Sequence, residues 1–408
     1  MIMPDRKKKK PLVPKLRFPE FRDAGEWEVK RLWEVCDVLQ GYGFPERFQG
    51  KQKGEYPFCK VSDITKAVNE NGGHLITAAN YVDREIVEEL RANPIPAGAT
   101  VFAKIGEALR LNKRALVDIE CLIDNNVAGL KAREEFTPDY FIFLLSQNID
   151  MNKHCGGAVP SVNKSTLKAI KIVVPIPPEQ QKIADCLSSL DELIELEAQR
   201  CEALKAHKKG LMQQLFPREG ETTPRLRFPG FRNAGPWEVK RLGRLIETVT
   251  PPKKLKTSDY LDKGRFPVID QSQDEICGWT NDKEAIIREK FPLVIFGDHT
   301  CTVKMSTKPF AQGADGIKIL AAKSEIDPRY LYQYLLFSPI EQKQYKRHFS
   351  ILKEKLVYFP PIDLGEQQKI AECLSSLDEL IELQSRKVEA LKQHKKGLMQ
   401  QLFPQEVI

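Results

Sequence analysis

Four groups of polar and basic residues could do chemistry in this chain, and the chemistry they suit is recognition by hydrogen bonding. Lys104, Arg110, Asn112, Lys113 and Arg114 fall where turns interrupt apolar runs. Ser161, Asn163 and Lys164 lie in GlyGlyAlaValProSerValAsnLysSerThrLeu, residues 156–167. Gln271, Ser272 and Gln273 come next, with His299, Thr300 and Lys304. The last group is Lys346, Arg347, His348 and Lys353. Arg and Lys match guanine edges and phosphates, and Asn and Gln match adenine. Phosphate contacts would position a nucleic acid and base contacts would specify its sequence. On this reading exchanging Arg114 for Ala relaxes base preference by about 1–3 kcal/mol if its guanidinium contacts a base edge, and weakens binding uniformly, with a shallower salt slope, if it contacts phosphate. Solvated turns and strand edges use the same residue types, so that alternative stays open for each residue.

Motifs that make and break bonds are missing. There is no Walker A sequence, and no GxGxxG opens a helix after a strand. HExxH, GxSxG and the Asn/Asp-Pro-Pro-Phe/Tyr signature of amino-methyltransferases are absent. Asp298-His299 is a poor acid–base pair, because adjacent strand residues point to opposite faces. The nine cysteines are scattered without zinc spacing and read as reduced thiols. Net charge +7 with a pI near 8.8 permits nucleic-acid binding without proving it. No run approaches the ~18 apolar residues of a membrane span. MIMPDRKKKK lacks the apolar core of a secretory signal. A cytoplasmic protein without membrane contact is the expectation.

The elements that must position these groups are set by an internal repeat. Residues 179–217 and 366–404 align without gaps, with 32 of 39 positions identical. Shorter lead-in segments precede them: PKLRFPEFRDAGEWEVKRL (14–32) and PRLRFPGFRNAGPWEVKRL (224–242), with 15 of 19 identical. Between the paired segments lie two largely unrelated inserts, 33–178 and 243–365. The scaffold is present twice and the insert differs, which suits two different readers in one frame.

Each repeated segment has the pattern of a long helix. In the first copy the apolar positions are Ile183, Leu187, Leu190, Ile194, Cys201, Leu204, Leu211 and Leu215. In the second they are Ile370, Leu374, Leu377, Ile381, Val388, Leu391, Leu398 and Leu402. Glu197, Lys208, Gln384 and Lys395 take the interrupted steps. This heptad spacing makes a narrow coiled-coil seam, and each copy is the obvious partner for the other. A helix over 179–215 would span roughly 55 Å. The seam alone does not say whether the pair is parallel or antiparallel. The inserts read as mixed α/β, with strand-like runs at 101–106 and 293–297 and helix-like segments near 138–146 and 328–338.

Taken together, the order insert, EQQKIA helix, insert, EQQKIA helix resembles the specificity subunit of a type I restriction–modification enzyme. The LysLeuArgPhePro…TrpGluValLysArgLeu lead-in and the ValProSerValAsnLysSerThrLeu…ValProIleProProGluGln run support the resemblance. It implies a mixed α/β fold with two globular target-recognition domains. Between them two long helices form an antiparallel coiled coil, and the repeat has pseudo-twofold symmetry. The expected division is a basic tail (1–13), a first recognition domain (14–178), a central spacer helix (179–217), a second recognition domain (218–365) and a C-terminal spacer helix (366–408). Each domain would read one half of a bipartite, asymmetric site in double-stranded DNA. The helices would set the spacing and dock modification subunits. The chain would be non-catalytic and hold no cofactor: S-adenosylmethionine, ATP and Mg2+ would bind modification and restriction subunits. The second insert departs from the pattern, with PheSerIleLeuLysGluLys (349–355) replacing the ValProSerValAsnLys run. It should read a different half-site. Two other readings are a coiled-coil protein-binding scaffold that no longer reads DNA, and a DNA-modifying enzyme with unrecognised catalytic motifs.

Overall fold

A computed structural model describes residues 12–133, 137–157, 159–341 and 348–404. The chain divides into two compact units, and each takes one insert together with part of both long helices. The first unit is Met1–Ala198 with Arg386–Ile408, and the second is Gln199–Ser385. Both are mixed helix and strand.

In the first unit, a five-stranded sheet runs in the order Cys36–Gln40, Val127–Ala132, Thr100–Ala103, Ala115–Val117, His74–Leu75. Its last pairing is parallel and the others antiparallel. Tyr56–Cys59 sits between Tyr81–Val82 and Leu122–Ile123 in a smaller sheet. In the second unit, Ile246–Val249, Ile317–Ala322, Leu293–Gly297 and Val303–Ser306 form a four-stranded antiparallel sheet. A five-stranded sheet built around Phe310–Gly313 lies beside it in the chain. The expected insert helices form as Asp139–Gln147 and Pro328–Phe337. The strand expected over 101–106 ends at Ala103, because Gly106 at φ 76° turns the chain into a short helix.

The long helices span Pro177–Leu215 and Glu366–Leu402. The first begins two residues before the expected start, since proline suits a first turn whose N–H groups need no intrahelical partner. Within each unit the two helices run antiparallel. In the first unit Asp191 meets Lys395 and Glu197 meets Lys387. In the second, Cys201 meets Ser385 at 3.2 Å and Lys208 meets Asp378. Along the seam Ile183, Leu187, Cys201, Leu215, Ile370, Leu374 and Leu402 are buried, and Leu190, Ile194, Leu204, Leu377, Ile381, Val388 and Leu391 are half-buried. The polar interruptions also belong to it. Glu197, Lys208 and Gln384 are buried and Lys395 half-buried. The mid-helix pairs at Glu197 and Lys208 fix one alignment, because sliding a helix by a turn would strand a charge without its partner.

Why the lead-in segments and the helices repeat together is clear from one contact. Arg17 donates from Nε to Glu179 Oε1 at 2.8 Å and from Nη2 to Oε2 at 2.7 Å. Arg227 grips Glu366 in the same bidentate way, with Nε to Oε1 at 2.9 Å. Both carboxylates are buried. The third guanidinium nitrogen ties down the lead-in loop through Gly25 O or Ala234 O, each at 2.6 Å. The next residue closes the other side, where Gln180 donates to Pro175 O at 2.8 Å and Gln367 to Pro360 O at 2.7 Å. The lead-in strands Glu28–Arg31 and Glu238–Arg241 pair antiparallel with the strands preceding the helices, Lys171–Val174 and Leu356–Phe359. The two helix ends pack alike: Phe403 lies against Trp27 and Phe141, and Phe216 against Tyr330 and Phe337.

Replacing Arg227 by Ala leaves Glu366 buried without its ionic partner. The expected cost to the second unit is about 3–5 kcal/mol. A lower urea midpoint would show it, and the paired change Arg227→Met with Glu366→Leu should recover most of the loss.

Candidate nucleic-acid interface

Two polar surfaces assemble, one in each unit, at the loops leaving the strands. In the first unit, residues 104–106 meet 160–162. Val162 N donates to Lys104 O at 3.0 Å, Gly106 N donates to Pro160 O at 2.8 Å, and Ile105 bridges Ser161. This brings Lys104 beside Ser161, Asn163 and Lys164, residues far apart in sequence. Ser161 and Lys164 are exposed. Asn163 is also exposed, but its carbonyl oxygen caps helix Lys164–Ala169, accepting from Thr166 N at 2.8 Å and from the Ser165 hydroxyl at 2.6 Å. That leaves Asn163 as a support for Lys164. Arg110 is exposed beside Glu107. Asn112 adopts φ 51°, a left-handed geometry asparagine tolerates, and closes the turn after helix Glu107–Arg110. Lys113 is half-buried.

Arg114 does not fit its expected role. It is only 4% exposed, with its guanidinium 4.6 Å from the Phe102 ring centroid. It donates to Asn112 Oδ1 at 2.8 Å and to Lys113 O at 3.0 Å. Burial pushes its pKa down. This arginine holds the turn from below and presents no fork to solvent.

In the second unit, residues 270–273 meet 298–304. The Thr300 hydroxyl donates to Gln271 O at 2.8 Å, and Gln273 Nε2 reaches Thr302 Oγ1 at 3.4 Å. Ser272 N donates to Asp270 Oδ1 at 2.8 Å. Gln271 and Ser272 are half-buried and Gln273 is exposed. Lys304 is a second correction. It is buried, donating to Asp270 O at 2.9 Å and to Asp274 O, and burial lowers its pKa. Its charge is spent on the turn's carbonyls. His348 is a third: it is fully buried, with Nδ1 3.1 Å from Asp298 O, at the start of helix Phe349–Glu354. Asp298 accepts from Phe349 N at 2.7 Å, so this carboxylate holds a helix end. His299 is half-buried and Lys353 is exposed. Lys346 and Arg347 lie outside the described residues.

The short helices Lys164–Ala169 and Phe349–Glu354 occupy the same place in their units, each just before the strand that pairs with the lead-in. ValProSerValAsnLys and PheSerIleLeuLys are therefore alternative surfaces on one scaffold position. Sequence reading missed two features. Lys318 lies 5.6 Å from the Phe349 ring centroid and Lys353 5.4 Å from it, a cationic pair that only folding brings together. Ile105, Leu111 and Val159 are exposed among the basic residues of the first surface. Among the described residues no cluster of His, Cys, Asp and Glu could hold a metal ion, and no helix is long and apolar enough to cross a membrane.

Exchanging Arg114 for Ala is expected to destabilise the first unit by about 1–3 kcal/mol through lost packing. Base preference should stay unchanged, and thermal melting beside a binding-site selection would separate the two effects.

Comparison with known proteins agrees with this architecture. A relative assigned as the type I restriction enzyme MjaX specificity subunit of Methanocaldococcus jannaschii is 26% identical over 93% of this chain and 93% of its own. The MjaVIII specificity subunit of the same organism is 23% identical over 95% of this chain and 93% of its own. The crystal structure of a type I restriction–modification S subunit from M. genitalium has the same fold. Its TM-score is 0.63 at 15% identity, covering 96% of this chain and 99% of the other. Residues 24–206 and 235–393 each match the family described as type I restriction modification DNA specificity domain, and the chain belongs to that family.

Proposed function

We propose that the chain is the sequence-reading subunit of a type I restriction–modification complex, each unit reading one half of a bipartite, asymmetric site in double-stranded DNA. One observation carries this reading: the Arg17–Glu179 and Arg227–Glu366 clamps are chemically identical, while the surfaces they hold differ residue by residue. A frame built twice around two different polar surfaces is the arrangement a two-part site requires. Joining two weak readers raises their combined affinity through effective concentration.

The first surface offers Lys104, Ser161 and Lys164, with Arg110 and Lys113 nearby. The second offers Gln271, Ser272, Gln273 and Thr300, flanked by Lys318 and Lys353. Exposed lysines would neutralise phosphates and make affinity salt-dependent, while the amides and hydroxyls would meet base edges. The chain itself performs no bond chemistry on this reading. Modification subunits would bring S-adenosylmethionine and methylate DNA, and restriction subunits would use ATP and Mg2+. Both would act in the cytoplasm.

The long helices would set the gap between half-sites and dock the modification subunits. An exposed leucine pair supports the docking role, and it recurs at equivalent repeat positions. Leu193 and Leu196 protrude from the first helix, Leu380 and Leu383 from the second. Apolar side chains repeated on an otherwise charged helix face suit a partner surface.

The test is to express the chain with its modification subunit in a methylation-free host and map methyladenine across the genome. A gapped, two-part motif is expected. Exchanging residues 33–178 for another insert should change one half of that motif and leave the other. Loss of both halves would end the idea of independent readers. Methylation or nicking by the purified chain alone would favour an enzyme, and intact subunit binding without sequence-specific DNA binding would favour a scaffold. Changing Leu193 and Leu196 to Ser should weaken subunit assembly at least tenfold in a pull-down titration while sequence preference in the assembled complex stays the same.

A further inference from the structure

The turn at 270–274 has its backbone pinned from three directions. Asp270 Oδ1 holds Ser272 N, the Thr300 hydroxyl holds Gln271 O, and Lys304 Nζ holds Asp270 O and Asp274 O. Such a turn cannot drift, so the side chains it carries are presented from a fixed base.

One of those side chains is seated with a hydrogen-bonding group unmet. The Gln271 amide rests over Gly316, where an added Cβ would stand 2.7 Å from its Cδ, Nε2 and Oε1. Gly297 gives room on the other side, since a Cβ there would fall 3.2 Å from the Gln271 Cβ and 2.3 Å from Thr300 Oγ1. Two glycines therefore open the seat this side chain occupies, and Gly316 has φ 105° as well. In that seat Gln271 Oε1 is shielded from water and has no hydrogen-bond partner among the described residues. A shielded amide oxygen without a donor is unfavourable. Swinging the amide outward onto a partner with one donor and one acceptor removes the deficit.

The major-groove edge of adenine is such a partner, with N6–H2 donating and N7 accepting, and glutamine matches it in two hydrogen bonds. The neighbours are less able to do this. Ser272 is short, and Gln273 already reaches Thr302. Lys318 and Lys353, both beside the Phe349 ring, would supply cations for the flanking phosphates.

We propose that Gln271 is the adenine-reading residue of the second unit, its amide leaving the Gly316 seat to take N6 and N7 of one adenine in that unit's half-site. This rests on the DNA-reading role proposed above.

The experiment uses the complete complex and duplexes carrying the mapped site, with 7-deazaadenine replacing one adenine at a time. Wild type should lose about tenfold in affinity at one adenine of one half-site, roughly 1.4 kcal/mol. Gln271→Ala should already bind the unmodified duplex more weakly and lose nothing further at that adenine. Gln271→Met, which keeps the volume without the amide, should behave the same way. Equal sensitivity of wild type and both variants at every adenine would overturn the assignment, as would a half-site with no adenine whose N7 matters. Absence of any sequence-specific binding by wild type would show before a variant is made, and it would sink the DNA-reading role together with this assignment.

Discussion

The structure depends on a buried arginine–carboxylate fork that occurs twice. Arg17 and Arg227 each reach across more than a hundred residues of chain to the first turn of a long helix. Burying a carboxylate such as Glu179 or Glu366 is costly unless its lone pairs are met, and two parallel N–H bonds meet them with one fixed orientation. The fork therefore does more than hold two segments together. It sets the angle at which the lead-in leaves the helix, and the strand pairing follows from that. The insert then closes over a core that includes Trp27 and Ile183 in one unit and Trp237 and Ile370 in the other.

Charged contacts on the seam work with the fork. Lys208 lies against Asp378, which also accepts from Gln333 Nε2 of the insert helix at 2.7 Å. Lys395 lies against Asp191, which also accepts from the Tyr140 hydroxyl. In each unit one aspartate thus joins a recognition insert to both long helices. Burial and the Asp191 charge push the Tyr140 pKa up, so its hydroxyl stays a donor throughout the physiological range. The two junctions do the same task with different donors, as expected where the helices repeat and the inserts do not.

Much of this was legible in the sequence. The repeat located both helices, and heptad spacing named the seam, because those patterns arise from local periodicity. It did not reveal the fork. Arg17 and Glu179 carry no signal of their pairing beyond being duplicated together. The two polar surfaces were legible only in part. Residues 104 and 161, and 271 and 300, were singled out separately, and folding brings each pair together. Arg114, Lys304 and His348 were misread because type and turn context do not encode burial. Arg114 packs on Phe102, Lys304 bonds two carbonyls of the turn at 270–274, and His348 begins a helix. Lys318 was missed because its partner Phe349 is thirty-one residues on in the chain.

The first unit is discontinuous, and this sets the order in which the chain can become a folded protein. Its core includes Leu402 and Phe403, whereas the second unit runs unbroken from Gln199 to Ser385. Domains usually mature in the order in which the ribosome releases them. Here the earlier-made insert must wait: its apolar surface at Trp27 and Phe141 stays uncovered until Phe403 emerges, after every residue of the second unit has been made. The segment synthesised first is finished last, and during that interval an open core face and an unclosed helix pair are exposed to whatever chaperones attend the nascent chain.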